Sequence, residues 1–293
     1  MRKVFYSLIL SVLAFCCVCP DAFGWAKLGH ATVARIAENH LTPRARKMLS
    51  LYLDGLPLAA IASDADAYRG QWVHDLGFVP VNPDEARPAW MKGFDFSLPM
   101  NMAPYSHMIT VDKDFVCFRT DNVDGEFINN IAFYVERLAS ALRDGAEDMT
   151  AQERYRTIAL IVHFMGDMHC PVHIVYRPDN QLKGKYEVTW RGEKCSMHGV
   201  WDKLIFDAYY DWSFSDLAGI VDTYDKSMIA DVVQGDVYDY AGSSARACWP
   251  AVAAYGPGAE LPATFALDMR ELLFSQLRNA GYRLAAVLNA ALR

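Results

Sequence analysis

His163 and Asp167 stand four residues apart in the apolar stretch Leu160-Ile-Val-His-Phe-Met-Gly-Asp-Met-His-Cys-Pro-Val-His173. On an α-helix that spacing puts an imidazole and a carboxylate on one face, one turn apart. Pro171 has no N–H, and its ring would clash with the carbonyl four residues back, so the helix must end or kink there. His173 then projects from a new direction at nearly the same height. His198 and Asp202 repeat the i, i+4 pair. Imidazoles and carboxylates converging out of apolar sequence are what a borderline cation such as zinc requires. One such pair also arises as a plain helical surface contact. Two pairs with His173 beside them point to a metal site.

The elements that must hold these groups can be read along the chain. A helix with apolar periodicity follows Trp25-Ala-Lys-Leu-Gly-His30 and runs to about Asn39. Thr42-Pro43 supplies an N-cap and a first helical residue for a second helix, to about Leu53. Leu56 to Arg69 reads as a third helix, stopped by Gly70. Five prolines between Asp75 and Pro104 argue for a long surface loop, with His107 beyond it. Glu126 to Leu142 has helical period, and Thr150-Ala-Gln-Glu153 is a capping box that opens the helix carrying His163 and Asp167. Residues 177–184 read as a loop and Lys185 to Lys194 as a small hairpin about Arg191-Gly192. A helix restarts near His198, and Pro262 to Arg293 is amphipathic, with Leu272, Leu273, Leu277, Tyr282, Leu284, Leu288 and Leu292 mostly on one stripe. No repeat or domain boundary interrupts residues 25–293. The expected fold class is all-α, a single compact helical domain with a small β-hairpin.

Residues 1–24 stand apart. Arg2 and Lys3 precede an apolar run from Val4 to Val18, and Ala22-Phe23-Gly24 puts small residues at the −3 and −1 positions of a cleavage site. This reads as a secretory signal peptide cut before Trp25, with no transmembrane segment left after cleavage, which places the protein in the periplasm or outside the cell. An uncleaved anchor is the alternative. Removing residues 1–24 takes away Arg2, Lys3 and Asp21 and leaves 26 basic against 34 acidic side chains, a net −8. So acidic a protein lacks the broad basic surface of a tight nucleic-acid binder, and any polyanion must be held locally by metal ions and a few arginines. Four cysteines remain, Cys117, Cys170, Cys195 and Cys248. An even number in an exported chain favours two disulfides, with three connectivities open.

The motifs together resemble the S1/P1 nucleases of the phospholipase C superfamily, all-α zinc enzymes. The matching segments are Trp25-x4-His30, Ala65-Asp66-x-Tyr68-Arg69, His107, His163-Phe-x-Gly-Asp167-Met-x-x-Pro-x-His173 and His198-x-x-Trp-Asp202, spread over the whole of residues 25–293. The resemblance implies three Zn2+ ions. The first would take Asp66, His107, His163 and Asp167. The second would take the amino nitrogen and carbonyl oxygen of Trp25 with His30 and Asp167. The third would take His173, His198 and Asp202. A main-chain amine at Trp25 can ligate only once cleavage frees it. The resemblance further implies Asp66 as the group that orients the attacking water, Arg69 as the phosphate clamp, and a Cys117–Cys248 bridge, with Cys170–Cys195 as the other pair.

Two departures from the family pattern bear on specificity. Where the family's phosphate loop usually reads Gly-Gly-Asn, this chain has Leu182-Lys183-Gly184, so Lys183 or Lys185 would replace a missing amide donor. Where the fungal enzymes place a base-stacking aromatic residue after the His ligand, it has Met108, with Thr110 two residues on. The remaining candidates have plainer readings. Asp64 faces away from Asp66 on a helix, His169 is a packed or supporting histidine, His40 a contact at a helix end, His74 a solvent-facing side chain, and Trp201, Phe164, Met165 and Met168 are core. The expected activity is hydrolysis of single-stranded DNA, RNA and nucleotides, with no stable protein partner implied. The competing readings are a phospholipase C acting on phosphatidylcholine and a non-catalytic zinc-binding protein. Trp25-x4-His30 and the Asp at 202 favour the nuclease.

Overall fold

The computed structural model describes residues 25, 27–67, 107–128, 130–177, 186–209 and 211–293. The leader, Arg69, His74, the proline-rich segment, Lys183 and Lys185 lie outside the described residues. The chain begins with α1 (Lys27–Asn39) and α2 (Pro43–Tyr52), the latter opened by Thr42, whose Oγ1 accepts from the Ala45 N–H at 3.1 Å, and by Pro43. The expected third helix is instead two short turns, α3 (Leu58–Ile61) and α4 (Asp64–Ala67). The break falls at Ala62, whose carbonyl lies 3.4 Å from His163 Nδ1.

Beyond the undescribed segment come β1 (Ile109–Val111) and a hairpin of β2 (Asn122–Val123) and β3 (Glu126–Phe127). Asp124 and Gly125 at its tip both take positive φ, the type I′ pattern of an Asp-Gly turn, so helix α5 begins only at Ile131 and runs to Gly145 (Ile131–Gly145). The central helix α6 (Ala151–Asp167) carries the expected capping box, the Glu153 carboxylate accepting from the Thr150 N–H at 2.7 Å and Thr150 Oγ1 accepting from the Glu153 N–H at 3.2 Å. From Arg156 to Asp167 every residue of α6 is buried, as in a helix enclosed on all sides. It ends where Pro171 requires, in a turn that leads through a 3-10 segment (Pro171–His173) into β4 (Ile174–Tyr176).

The hairpin about Arg191-Gly192 forms as β5 (Glu187–Trp190) and β6 (Glu193–Ser196), again with positive φ at both turn residues. Ser196 then caps α7 (Met197–Asp202), its Oγ 2.9 Å from the Gly199 N–H. The stretch after it builds a 3-10 segment (Leu204–Tyr209), α8 (Phe214–Val221), α9 (Lys226–Val232) and α10 (Val237–Ala254), then β7 (Glu260–Leu261), which adds a parallel third strand to β5. The C-terminal amphipathic stretch divides at Met269 into α11 (Phe265–Asp268) and α12 (Arg270–Ala291). Most of the expected stripe is its buried face, with Leu273, Leu277, Leu284 and Leu288 at 0% exposure, while Leu272 is only partly buried.

The architecture is thus mostly helical. Helix α1 lies along α12, close enough that a Cβ on Gly281 would sit 2.5 Å from Ile36 Cβ. Helix α6 is packed by α5, α12, α1 and α4. His40 is no mere helix-end contact: its Nε2 lies 2.8 Å from Asp222 Oδ1, which also accepts from Tyr282 Oη, tying α1 to the C-terminal helix.

Candidate metal centre

Six separate elements deliver the polar groups to one buried place. His163 and Asp167 occupy the last two turns of α6, on the face the i, i+4 spacing dictates. His107 stands two residues before β1 and His173 directly before β4, the two strands of a parallel pair. The register Ile109↔Ile174 brings the two, one residue out of step, to the same end of the pair, ring centroids 6.0 Å apart. His30 comes from α1 and Asp66 from α4, while His198 and Asp202 share one face of α7, Nε2 to Oδ2 at 2.8 Å. Trp25 precedes α1 and is wholly buried.

Asp167 is the hub. Its Oδ2 lies 2.7 Å from His107 Nδ1 and 3.0 Å from His163 Nε2, while its Oδ1 faces the other way, 3.3 Å from His30 Nε2 and 3.7 Å from His173 Nδ1. Asp66 Oδ1 stands 3.4 Å from His163 Nε2 and 3.6 Å from His107 Nε2. The His30 and His163 rings stack at 4.3 Å, and those of His173 and His198 meet edge-on at 4.7 Å. Asp64, two residues from Asp66, instead accepts a hydrogen bond from Tyr155 Oη, so the two carboxylates do face apart. Phe164, Met165, Met168 and Trp201 are core side chains at 1% exposure or less.

Many of these contacts are close without being hydrogen bonds. Among the described residues, both ring nitrogens of His30 and of His173, Asp66 Oδ1, Asp167 Oδ1 and Asp202 Oδ2 are buried with no hydrogen-bond partner. A native interior rarely leaves so many polar atoms unpaired, since each costs about 1–3 kcal/mol. Lone pairs turned toward a common point account for both the closeness and the missing hydrogen bonds. His30, Asp66 and His163 form one candidate metal-binding group, His107, His163 and Asp167 a second, and Cys170, His173 and Asp202 a third. The residues present fit divalent ions.

Charge balance leads the same way. Every ion pair made by Asp66, Asp167 and Asp202 among the described residues is to an imidazole, so the buried negative charge must be met by protons or by metal. Burial pushes the Asp167 carboxyl up, but His163, His173 and His107 outweigh it and hold it well below the usual carboxylate range. Burial also works against a charged His163, yet Asp167 and Asp66 raise its pKa well above the ordinary value. Asp66 is likewise held low by His163 against its own burial. Burial dominates at His107 and His173 and lowers both, which favours their neutral rings, the form that ligates a metal. Asp202 moves the other way, raised by burial.

The surroundings hold features that the spacing of ligands does not announce. A Cβ on Gly166 would lie 2.5 Å from His30 Nδ1, so only glycine lets α1 bring His30 against α6. Gly166→Ala is expected to displace His30 from Asp167, lower bound metal per chain and reduce activity about tenfold or more. Overpacking of about 1–3 kcal/mol outweighs alanine's better helix propensity of about 1 kcal/mol. Metal analysis with a thermal melt checks this. His169 is packed, as expected, but with a specific partner: it lies 2.9 Å from Arg283 of α12, while its Nδ1 contacts the Met165 carbonyl at 2.8 Å. Burial and the Arg283 charge push its pKa down to about 3, which fixes it as a neutral ring that donates to Met165 and accepts from Arg283. Nothing in the periodicity of α12 marks Arg283, because a helical stripe shows burial and not what a buried cation meets.

The disulfide expectation is corrected. All four cysteines are free thiols. Cys117 lies 3.5 Å from Asn130 Oδ1, Cys248 lies 4.0 Å from Ser244 Oγ, and Cys170 points at Asp202 Oδ1, 3.6 Å away. Even cysteine count says nothing of where each side chain points. Met108 and Thr110 are both buried at the start of β1.

Comparison with known proteins identifies the chain's relatives. The S1/P1 Nuclease family model matches residues 25–293. Endonuclease 2 of Arabidopsis thaliana is 26% identical over 293 residues, covering 92% of this chain and 91% of its own. Endonuclease 5 of the same plant is 26% identical over 96% of this chain and 95% of its own. Nuclease P1 of Penicillium citrinum is 29% identical over 186 residues, 61% of this chain and 57% of its own.

Proposed function

The chain belongs to the S1/P1 nuclease family, and on that premise we propose that it is an exported zinc-dependent endonuclease. It hydrolyses single-stranded DNA and RNA to 5′-phosphorylated products and acts on 3′-nucleotides. The observation that carries this reading is the division of Asp167, Oδ2 toward His107 and His163 and Oδ1 toward His30, which would suit a carboxylate that serves two ions.

Asp66, His107, His163 and Asp167 would hold one zinc, Trp25 with His30 and Asp167 a second, and His173, His198 and Asp202 a third. Bound zinc supplies a water deprotonated near neutral pH and a counter-charge for the transferring phosphate. The protein's own part is positional. Asp66, kept ionised by His163 and His107, accepts the proton of the attacking water. That oxygen bonds to phosphorus as the P–O3′ bond breaks, and the departing 3′-oxygen takes a proton from solvent. Arg69, three residues beyond Asp66 in sequence and outside the described residues, pairs the phosphate bidentately. Lys183 and Lys185 stand in for the amide donor that the loop lacks. Met108 in place of an aromatic leaves base recognition looser.

Single strands suit a recessed cluster, because the backbone must reach it with the bases splayed outward. Residues 1–24 act as a cleaved signal, freeing the Trp25 amine and delivering the enzyme to the periplasm or beyond. No described helix is long and apolar enough to cross a membrane. The test is to assay the protein beginning at Trp25 on single- and double-stranded DNA, RNA, 3′-nucleotides and phosphatidylcholine, with metal counted per chain. Cleavage of single-stranded substrates to 5′-phosphate ends is expected. Hydrolysis of the lipid without cleavage of nucleic acid would overturn the reading.

A further inference from the structure

Cys170 sits in the tight turn between α6 and the 3-10 segment, fixed by its own N–H to the Asp167 carbonyl at 2.9 Å and by the His173 N–H to its carbonyl at 3.0 Å. The side chain is fully buried and reaches neither Cys195 nor solvent. Its Sγ lies 3.6 Å from Asp202 Oδ1, and Sγ, a ring nitrogen of His173 and a carboxylate oxygen of Asp202 all lie within 4.8 Å of one another. His173 is 1% exposed, and neither of its ring nitrogens has a hydrogen-bond partner among the described residues. Asp202 Oδ2 is equally without one. Zinc bonds of about 2.3 Å to sulfur and about 2.0 Å to oxygen at a tetrahedral angle separate the two donors by about 3.5 Å. The Sγ–Oδ1 distance, now bridged by the thiol hydrogen, is short enough for two co-ligands.

We propose that the Cys170 thiolate is a fourth protein ligand of the third metal, beside His173, His198 and Asp202. The inference rests on the reading of that site given above. Binding of the ion displaces the thiol proton to solvent as the sulfur–metal bond forms. A His–His–Asp–Cys set is softer than the imidazole and carboxylate sets around Asp167. It selects zinc over magnesium or manganese and closes a position that water would otherwise hold. The third ion then becomes the most firmly held of the cluster, and a substrate oxygen reaches it only by adding a fifth ligand or by displacing one.

The test replaces zinc by cobalt(II) in the protein from Trp25 onward, in wild type and in Cys170→Ser. Serine keeps the small polar side chain and the hydrogen bond to Asp202 but offers no thiolate. The wild type is expected to show a near-ultraviolet thiolate-to-cobalt charge-transfer band that Cys170→Ser lacks, the two having the same far-ultraviolet circular dichroism. One ion per chain should also leave Cys170→Ser at about tenfold lower chelator concentration. Cobalt bound to the wild type with no such band, or a band that survives in Cys170→Ser, overturns the thiolate assignment and leaves the nuclease reading standing. Failure of the folded wild type to bind cobalt or zinc at all overturns both.

Discussion

Asp167→Asn is expected to reduce hydrolysis of single-stranded DNA by about 10³-fold and to leave the protein with fewer bound ions per chain. The reason is the two-sided use of one carboxylate, Oδ2 toward His107 and His163 and Oδ1 toward His30 and His173. An amide keeps one oxygen and puts an NH2 where the other stood, so one side of the proposed bridge would lose a ligand and gain a donor aimed at the imidazoles. Loss of one Lewis acid from a phosphoryl-transfer site removes several kcal/mol of transition-state stabilisation, and each 1.36 kcal/mol is a factor of ten. His163 also loses the first of the two carboxylates that raise its pKa. Asp64→Asn is the matched control. It makes the same chemical change two residues from Asp66, on a carboxylate that faces Tyr155, and should leave metal content and rate near wild type. Initial rates and metal analysis on both proteins decide the matter. An Asp167→Asn protein with a full complement of ions and an unchanged rate would remove Asp167 from the centre of the site.

Why the helical placement of His163 and Asp167 is legible in the sequence, and other features are not, follows from the range of the interactions. The pair His163 and Asp167, the capping box at Thr150 and the turn at Arg191-Gly192 are all written within four residues of sequence, and each formed where local rules put it. The Asp124-Gly125 turn is equally local, but it follows β2 of only two residues, too short for strand periodicity to show, so the run from Glu126 read as helix. Helices α3 and α4 separate at Ala62, whose carbonyl lies against His163, a hundred residues away in sequence. No window along the chain contains that contact. The same holds for β1 and β4, each three residues long and parallel, whose pairing alone makes neighbours of His107 and His173. Helix α10 offers Asp236 and Asp239 as a capping box, yet Pro250 stands inside it and masks its length. The thiols show the limit of counting: four cysteines permit two bridges, but Cys170 is turned toward Asp202 by the turn that Pro171 imposes.

Metal removal is expected to lower the thermal midpoint by about 10 °C or more and to abolish activity, both restored by zinc. The cluster buries Asp167 and Asp202 at 0% and 1% exposure with only imidazoles as their ion-pair partners among the described residues. One tightly held ion at about 1,000 times its Kd contributes about 4 kcal/mol to the folded state, and in a chain this long each kcal/mol moves the midpoint by about 2–4 °C. The pH dependence gives the prediction a sign. His163 has a raised folded pKa, so the stability its proton brings is complete below the unfolded value of about 6.5 and is lost as pH climbs through the folded one. In the metal-free protein that proton does part of the cation's work, so stripping should cost less near pH 6 than near pH 9, where protons no longer replace the ions. The depressed Asp167 gives stability that is present above about pH 3.9 and lost only as pH falls below it, so it does not blur that comparison. Thermal melts of zinc-loaded and chelator-stripped protein at the two pH values measure the difference directly. Equal midpoints with and without metal at both would mean that the buried carboxylates are balanced by something other than ions.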